Sequence, residues 1–158
     1  MKIKTILLAL MLIAGIETMC AQGTAAATTP NESDKIVGIW ETGTGKARVN
    51  IIKSGKFFYG RIVWLKEPLN EEGKPKVDKN NPDETKRAAP LLGMRMLAGF
   101  EFKGDNLWED GTIYDPESGS TYQCKISLED NNTMSIRGFI GISAFGRTDT
   151  WKRLQLKK

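Results

Sequence analysis

NLWEDGTIYDPESGSTYQCKISLEDNNTMSIRGF, running from Asn106 to Phe139, is the stretch that decides the fold. Apolar residues recur at every second position through Tyr122, Cys124, Ile126 and Leu128, the period of a strand with one buried face. Asp115-Pro116-Glu117-Ser118-Gly119 and Asp130-Asn131-Asn132 interrupt the pattern with turn chemistry, and each is short enough to close a hairpin. Three strands joined this way form an antiparallel meander.

The same pattern extends in both directions. Strands are predicted over about 36–42, 46–53, 56–66, 94–104, 106–114, 120–129, 132–142 and 145–155, with further turns at Gly43 to Gly45, Ser54-Gly55 and Gly104-Asp105-Asn106. Eight sequential strands expose two vulnerable edges unless the first pairs with the last. The expectation is therefore all-β: a single eight-stranded antiparallel up-and-down barrel with one long loop between strands 3 and 4. That loop, Glu67 to Pro90, holds Pro68, Pro75 and Pro82 among many charges, a composition no central strand carries. Asp83 to Ala89 is expected to make a helical turn that Pro90 stops. Strand 3 is apolar at both parities, so its outer side needs a cover, either Leu91, Leu92, Met94 and Met96 or a second copy in a homodimer.

The 158 residues fall into three parts. Residues 1–21 read as a signal peptide, with Lys2 and Lys4 ahead of the apolar run Ile6 to Ile16. Residues 22–34 read as a flexible leader, and 35–158 as the barrel domain. The run is too short to span a bilayer as a transmembrane segment. A periplasmic or extracellular location is expected, with a cut after Ala21. The competing reading lipidates Cys20, but Glu17-Thr18-Met19 lacks the small residues that such sites want. Once Cys20 is removed, Cys124 stands alone in an apolar strand and reads as a buried inert thiol.

Several chemistries are closed off. The chain has no histidine, which removes His-based nucleophile systems and His-ligated metals, and a lone cysteine removes thiolate clusters. Glycine-rich phosphate cradles are missing, so no catalytic residue, no cofactor and no metal site is expected. Carboxylates at Glu109, Asp110 and Asp115, and an oxygen-rich cluster at Asp78, Asn80, Asp83 and Glu84, read as solvated surface. The formal charge of +4 falls slightly when Lys2, Lys4 and Glu17 leave, and basic residues alternate with acidic ones, so nucleic acid is not an expected partner.

Candidate binding residues are those whose type is unusual in a barrel wall. Arg61, Arg137 and Arg147 interrupt apolar strands; they either point outward or face the lumen to hold an anionic group. In the second case Trp64, Trp108, Tyr114 and Tyr122 supply the walls.

Gly38-Ile39-Trp40 opening the first strand and Trp151-Lys152-Arg153 in the last resemble the lipocalin and calycin signature. The resemblance implies barrel closure by Trp40 with Arg153 stacked on it. Gly60-Arg61-Ile62-Val63-Trp64, Asp78-Lys79-Asn80-Asn81-Pro82, Pro90-Leu91-Leu92-Gly93, Gly111-Thr112-Ile113-Tyr114-Asp115-Pro116, Arg137-Gly138-Phe139-Ile140-Gly141 and Phe145-Gly146-Arg147 together resemble the DUF2147 family. That resemblance implies a lipocalin-like barrel and bacterial export, and brings no activity with it. Two functions remain open: a barrel holding a small, anionic or amphipathic ligand, and a side-chain-filled interaction module that meets another envelope protein.

Overall fold

The computed structural model describes residues 31–155. Residues 1–21, expected to be a signal peptide, and residues 22–30 of the expected leader lie outside the described residues. Eight strands, β1 (Gly38–Glu41), β2 (Ala47–Ser54), β3 (Phe57–Leu65), β4 (Arg95–Gly104), β5 (Leu107–Asp115), β6 (Ser120–Asp130), β7 (Thr133–Phe139) and β8 (Arg147–Arg153), form one closed antiparallel barrel in sequence order. Closure is made where β1 meets β8, through the pairs Trp40 with Arg153 and Glu41 with Lys152. The up-and-down barrel and its long β3–β4 connection are as the sequence predicted. Strand 7 stops at Phe139 rather than at 142, because the chain leaves the sheet there and turns through a 3-10 helix at Ser143–Phe145. The helical turn expected over Asp83 to Ala89 is a shorter 3-10 helix, Glu84–Lys86, capped by the Asp83 carboxylate.

The inward positions are apolar: Trp40, Val49, Ile51, Phe58, Ile62, Leu97, Phe100, Trp108, Ile126, Met134, Ile136 and Trp151 are all essentially without solvent exposure. Outward positions carry Arg48, Asn50, Arg61, Lys125, Ser135 and Arg137, the reverse of a barrel that faces lipid. Among the described residues, no helix is long and apolar enough to cross a membrane. Three bulges break strict alternation. In β3, Ile62 and Leu65 both turn inward although three apart, opposite Val49 and Ala47 of β2. In β4, Leu97 and Phe100 are both buried although three apart, with Gly99 at φ 77° between them. In β5, Trp108 and Gly111 do the same around Asp110 at φ 62°. Gly111 is required by packing: a Cβ there would overlap the Phe100 ring, which lies against its backbone.

Antiparallel order places the β2–β3, β4–β5 and β6–β7 turns at one end of the barrel, and the β1–β2, β5–β6 and β7–β8 turns with the long connection at the other. The first end is stoppered. A 3-10 helix, Glu32–Ile36, inserts Ile36 and buries Ser33, so structure begins inside the segment 22–34 expected to be leader. The Trp40 indole donates to the Ile36 carbonyl at 2.9 Å and the Trp108 indole to the Ser33 carbonyl at 3.1 Å. These bonds satisfy the polar edge of each ring where water is excluded.

Candidate functional site

The opposite end is open over a cavity of about 1060 Å³. Its floor is the upper face of the core, where Ile62, Ile136 and Trp151 look toward the mouth, and Met96, Ile113 and Tyr122 line its sides. The apolar floor is of the kind that holds a small organic molecule, and the volume stands at the upper end of the about 300–1,000 Å³ that such sites span, while the rim above it is charged. Gly138 leaves room here: a Cβ would meet Ile113 and Tyr122 only at 3.4 and 3.6 Å, ordinary contact distances. β7 thus presents Met134, Ile136 and Gly138 inward in succession, and the last of these widens the cavity instead of filling it.

The rim is charged. Lys46 pairs with Glu117 at 2.9 Å and Lys76 with Glu67 at 3.1 Å. The hydrogen bond to Glu117 holds the Lys46 pKa above its usual value, and that from Lys76 holds Glu67 below its own. Among the described residues, Lys66, Lys79 and Arg147 line the cavity and form no ion pair. Asp149 turns its carboxylate to the Trp151 indole at 2.8 Å and the Gly43 amide at 3.2 Å, which fixes the floor to the β1–β2 turn.

One side of the mouth is built by the long connection. Asp78, 1 % exposed, accepts from the Tyr114 hydroxyl at 2.8 Å and from the Asn81 amide at 2.6 Å. Desolvation, and then the hydrogen bond to Asp78, push the Tyr114 pKa up to about 12. Asn80 reaches the β5–β6 turn, donating to the Glu117 carbonyl at 2.8 Å. Leu69, Val77 and Leu91 then face the cavity. The expected cover of strand 3 is corrected in part. Leu91 and Met96 belong to the mouth and Leu92 is exposed, while Met94 packs on the core and its carbonyl extends the β3 ladder to Ile62.

Of the residues singled out in the sequence, Tyr122 and Arg147 line the cavity. Arg61 does not: it is exposed on the wall and donates to the Gly93 carbonyl at 3.0 Å, holding the end of the long connection. Arg137 also faces outward, with its guanidinium spent on the Ser143 and Ala144 carbonyls and Thr148. Trp64 carries the Arg48 guanidinium 4.2 Å from its ring centre, away from the lumen. Trp108 belongs to the stoppered end and Tyr114 to the loop anchor. In each case strand parity and the bulges set the direction, and a wall charge stays where water reaches it. Trp40 and Arg153 meet, guanidinium over indole at 4.2 Å, and Arg153 also donates to the carbonyls of Val37, Lys35 and Asn131. Cys124 is buried, and desolvation pushes its thiol up to about 12.

The carboxylates are engaged separately: Asp110 pairs with Lys103 at 2.6 Å, and Asp115 accepts from the Glu117 amide and Ser118 hydroxyl in its own turn. Among the described residues no group of three acids and cysteines is arranged to hold a metal.

A barrel stoppered at one end by an indole under a guanidinium, and open at the other over a cavity with an apolar floor, has a lipocalin-like fold. The chain belongs to the DUF2147 family, described as uncharacterized proteins conserved in bacteria, whose sequence profile matches residues 38–153. Among solved structures it is similar to protein HP1028 from the human pathogen Helicobacter pylori, which belongs to the lipocalin family. The two are 23 % identical, the match covers 75 % of this chain and 82 % of that one, and the TM-score is 0.64. At that identity the likeness shows the fold. No curated protein matches the chain.

Proposed function

We propose that this protein is exported and binds one small amphipathic molecule in the open mouth of its barrel, by its apolar body on the floor and its polar head at the rim. The cavity over Ile62, Ile136 and Trp151 carries the reading. It lies at the end opposite the stopper, where the apolar face of the core continues into an open mouth instead of being capped. Lys66, Lys79 and Arg147, which form no ion pair among the described residues, can meet an acidic head, because a cation with no internal partner loses little by exchanging water for a ligand anion. Acids such as Glu71 on the same rim suit a head that is polar overall and not purely anionic. Export rests on Lys2, Lys4 and the apolar run Ile6 to Ile16, and predicts a mature protein beginning at or near Gln22.

The test is titration with anilinonaphthalene sulfonate, an apolar body with an acidic group, beside native mass spectrometry of freshly purified protein. Saturable one-to-one binding is expected. Gly138→Leu, which puts a side chain into the cavity at a position of ordinary φ, lowers it by at least about tenfold with an unchanged circular dichroism spectrum. Absence of saturable binding, or equal binding by the variant, overturns the reading and leaves a barrel that acts through its outer surface.

A further inference from the structure

The β7–β8 turn carries an unusual load. From Gly138 to Gly146 the chain has no charged residue, and it places Ile140 75 %, Ile142 61 % and Phe145 83 % in solvent. They are the three most exposed large hydrophobic side chains among the described residues, and all sit on one protruding turn. The turn is also held in shape: Arg137 grips the Ser143 carbonyl at 2.7 Å, the Ala144 carbonyl at 3.0 Å and the Thr148 hydroxyl at 2.8 Å. An apolar tip built on a three-bonded arginine is presented to something.

We propose that this tip inserts into the surface of an anionic lipid bilayer, bringing the mouth of the barrel against the membrane. Three observations choose a bilayer over a protein. An aromatic side chain buries about 150–250 Å² and an isoleucine less, so these three supply at most about 450–750 Å², short of the roughly 800 Å² per side of a stable protein interface but ample for an interfacial anchor. The tip itself carries no acid and is followed at once by Arg147, on a chain with 23 Lys and Arg against 19 Asp and Glu, a balance that suits anionic headgroups even though acids alternate with bases around the rim. Gly138, Arg147 and Thr148, which flank the turn, line the cavity, so docking by the tip sets the cavity beside the phase in which amphipathic molecules collect. This last point rests on the ligand reading above.

The test is co-sedimentation of the mature protein with phosphatidylethanolamine vesicles containing phosphatidylglycerol, and with phosphatidylcholine vesicles. Binding to the anionic vesicles is expected, weakened by added salt. Phe145→Ser should reduce it by about tenfold or more, the effect of one fully buried aromatic, and Phe145→Trp should restore it. Because Phe145 lies outside the cavity lining, Phe145→Ser should bind anilinonaphthalene sulfonate as the parent does. Failure here is thereby distinguishable from failure of the ligand reading. No vesicle binding, equal capture by phosphatidylcholine, or undiminished binding by Phe145→Ser overturns the proposal. So does a dimer in sedimentation velocity that Phe145→Ser dissolves, which would assign the tip to a second copy of the chain.

Discussion

The two ends of the barrel are made from the same strands and do opposite things. At the stoppered end every indole edge has a carbonyl, Arg153 bridges three separate segments, and Ile36 fills the last space. At the open end the inward positions run out into Gly138, Ala47 and a charged rim. An eight-stranded barrel is just wide enough to fill with side chains or to hold one small molecule. Here it does the first in its lower part and leaves room for the second in its upper part. Stability and cavity are therefore separable by position along the barrel axis.

That separation can be broken most forcefully at Trp40. Trp40→Ala should cost about 3–5 kcal/mol in chemical denaturation, the range for a large buried aromatic. A loss within experimental noise would mean the stoppered end does not carry the fold. Next comes Arg153→Ala, which leaves the carbonyls of Val37, Lys35 and Asn131 without their shared donor and should cost about 2 kcal/mol, with Arg153→Lys recovering only part.

Tyr114→Phe is expected to cost about 1–2 kcal/mol, since Asp78 loses one of its two side-chain donors under the loop. It also changes the pH dependence. Because the folded state raises the Tyr114 pKa from 10.0 to about 12, it holds the phenol proton more tightly than the unfolded chain does. Its contribution is complete below about pH 10 and disappears as pH rises toward 12, so unfolding curves of the parent should fall through this window more steeply than those of Tyr114→Phe. The smallest effect belongs to the open rim: Lys66→Ala should leave the unfolding midpoint within about 0.5 kcal/mol of the parent while weakening an acidic probe. A large stability loss there would erase the distinction between the ends.

The barrel was legible because period and punctuation agreed: Tyr122 to Leu128 alternate, and Asp115 to Gly119 can only turn. Of the binding residues expected from the sequence, Tyr122 and Arg147 line the candidate site. The direction of Arg61 and Arg137 stayed open between wall and lumen because strand 3 is apolar at both parities and strand 7 ends in an uncharged run, so neither sequence states which face is inside. The bulges at Gly99 and Asp110 shift parity within β4 and β5, and a pattern of alternating hydrophobicity does not reveal a shift it is assumed not to contain. Gly138 was missed for a simpler reason: an inward glycine makes space, and space has no hydropathy. Only the continuation of Met134, Ile136 and Gly138 along one face would have found it.

The Phe100 ring resting on bare backbone at Gly111 has a consequence for how such chains diverge. Any side chain at position 111 collides with a ring that is itself buried, and any smaller residue at position 100 leaves a hole above a glycine that does not refill it. Neither position can drift alone without passing through a poorly stable intermediate. The two should be inherited as a pair, changing together or not at all, whereas the exposed residues around the mouth are under no such mutual constraint.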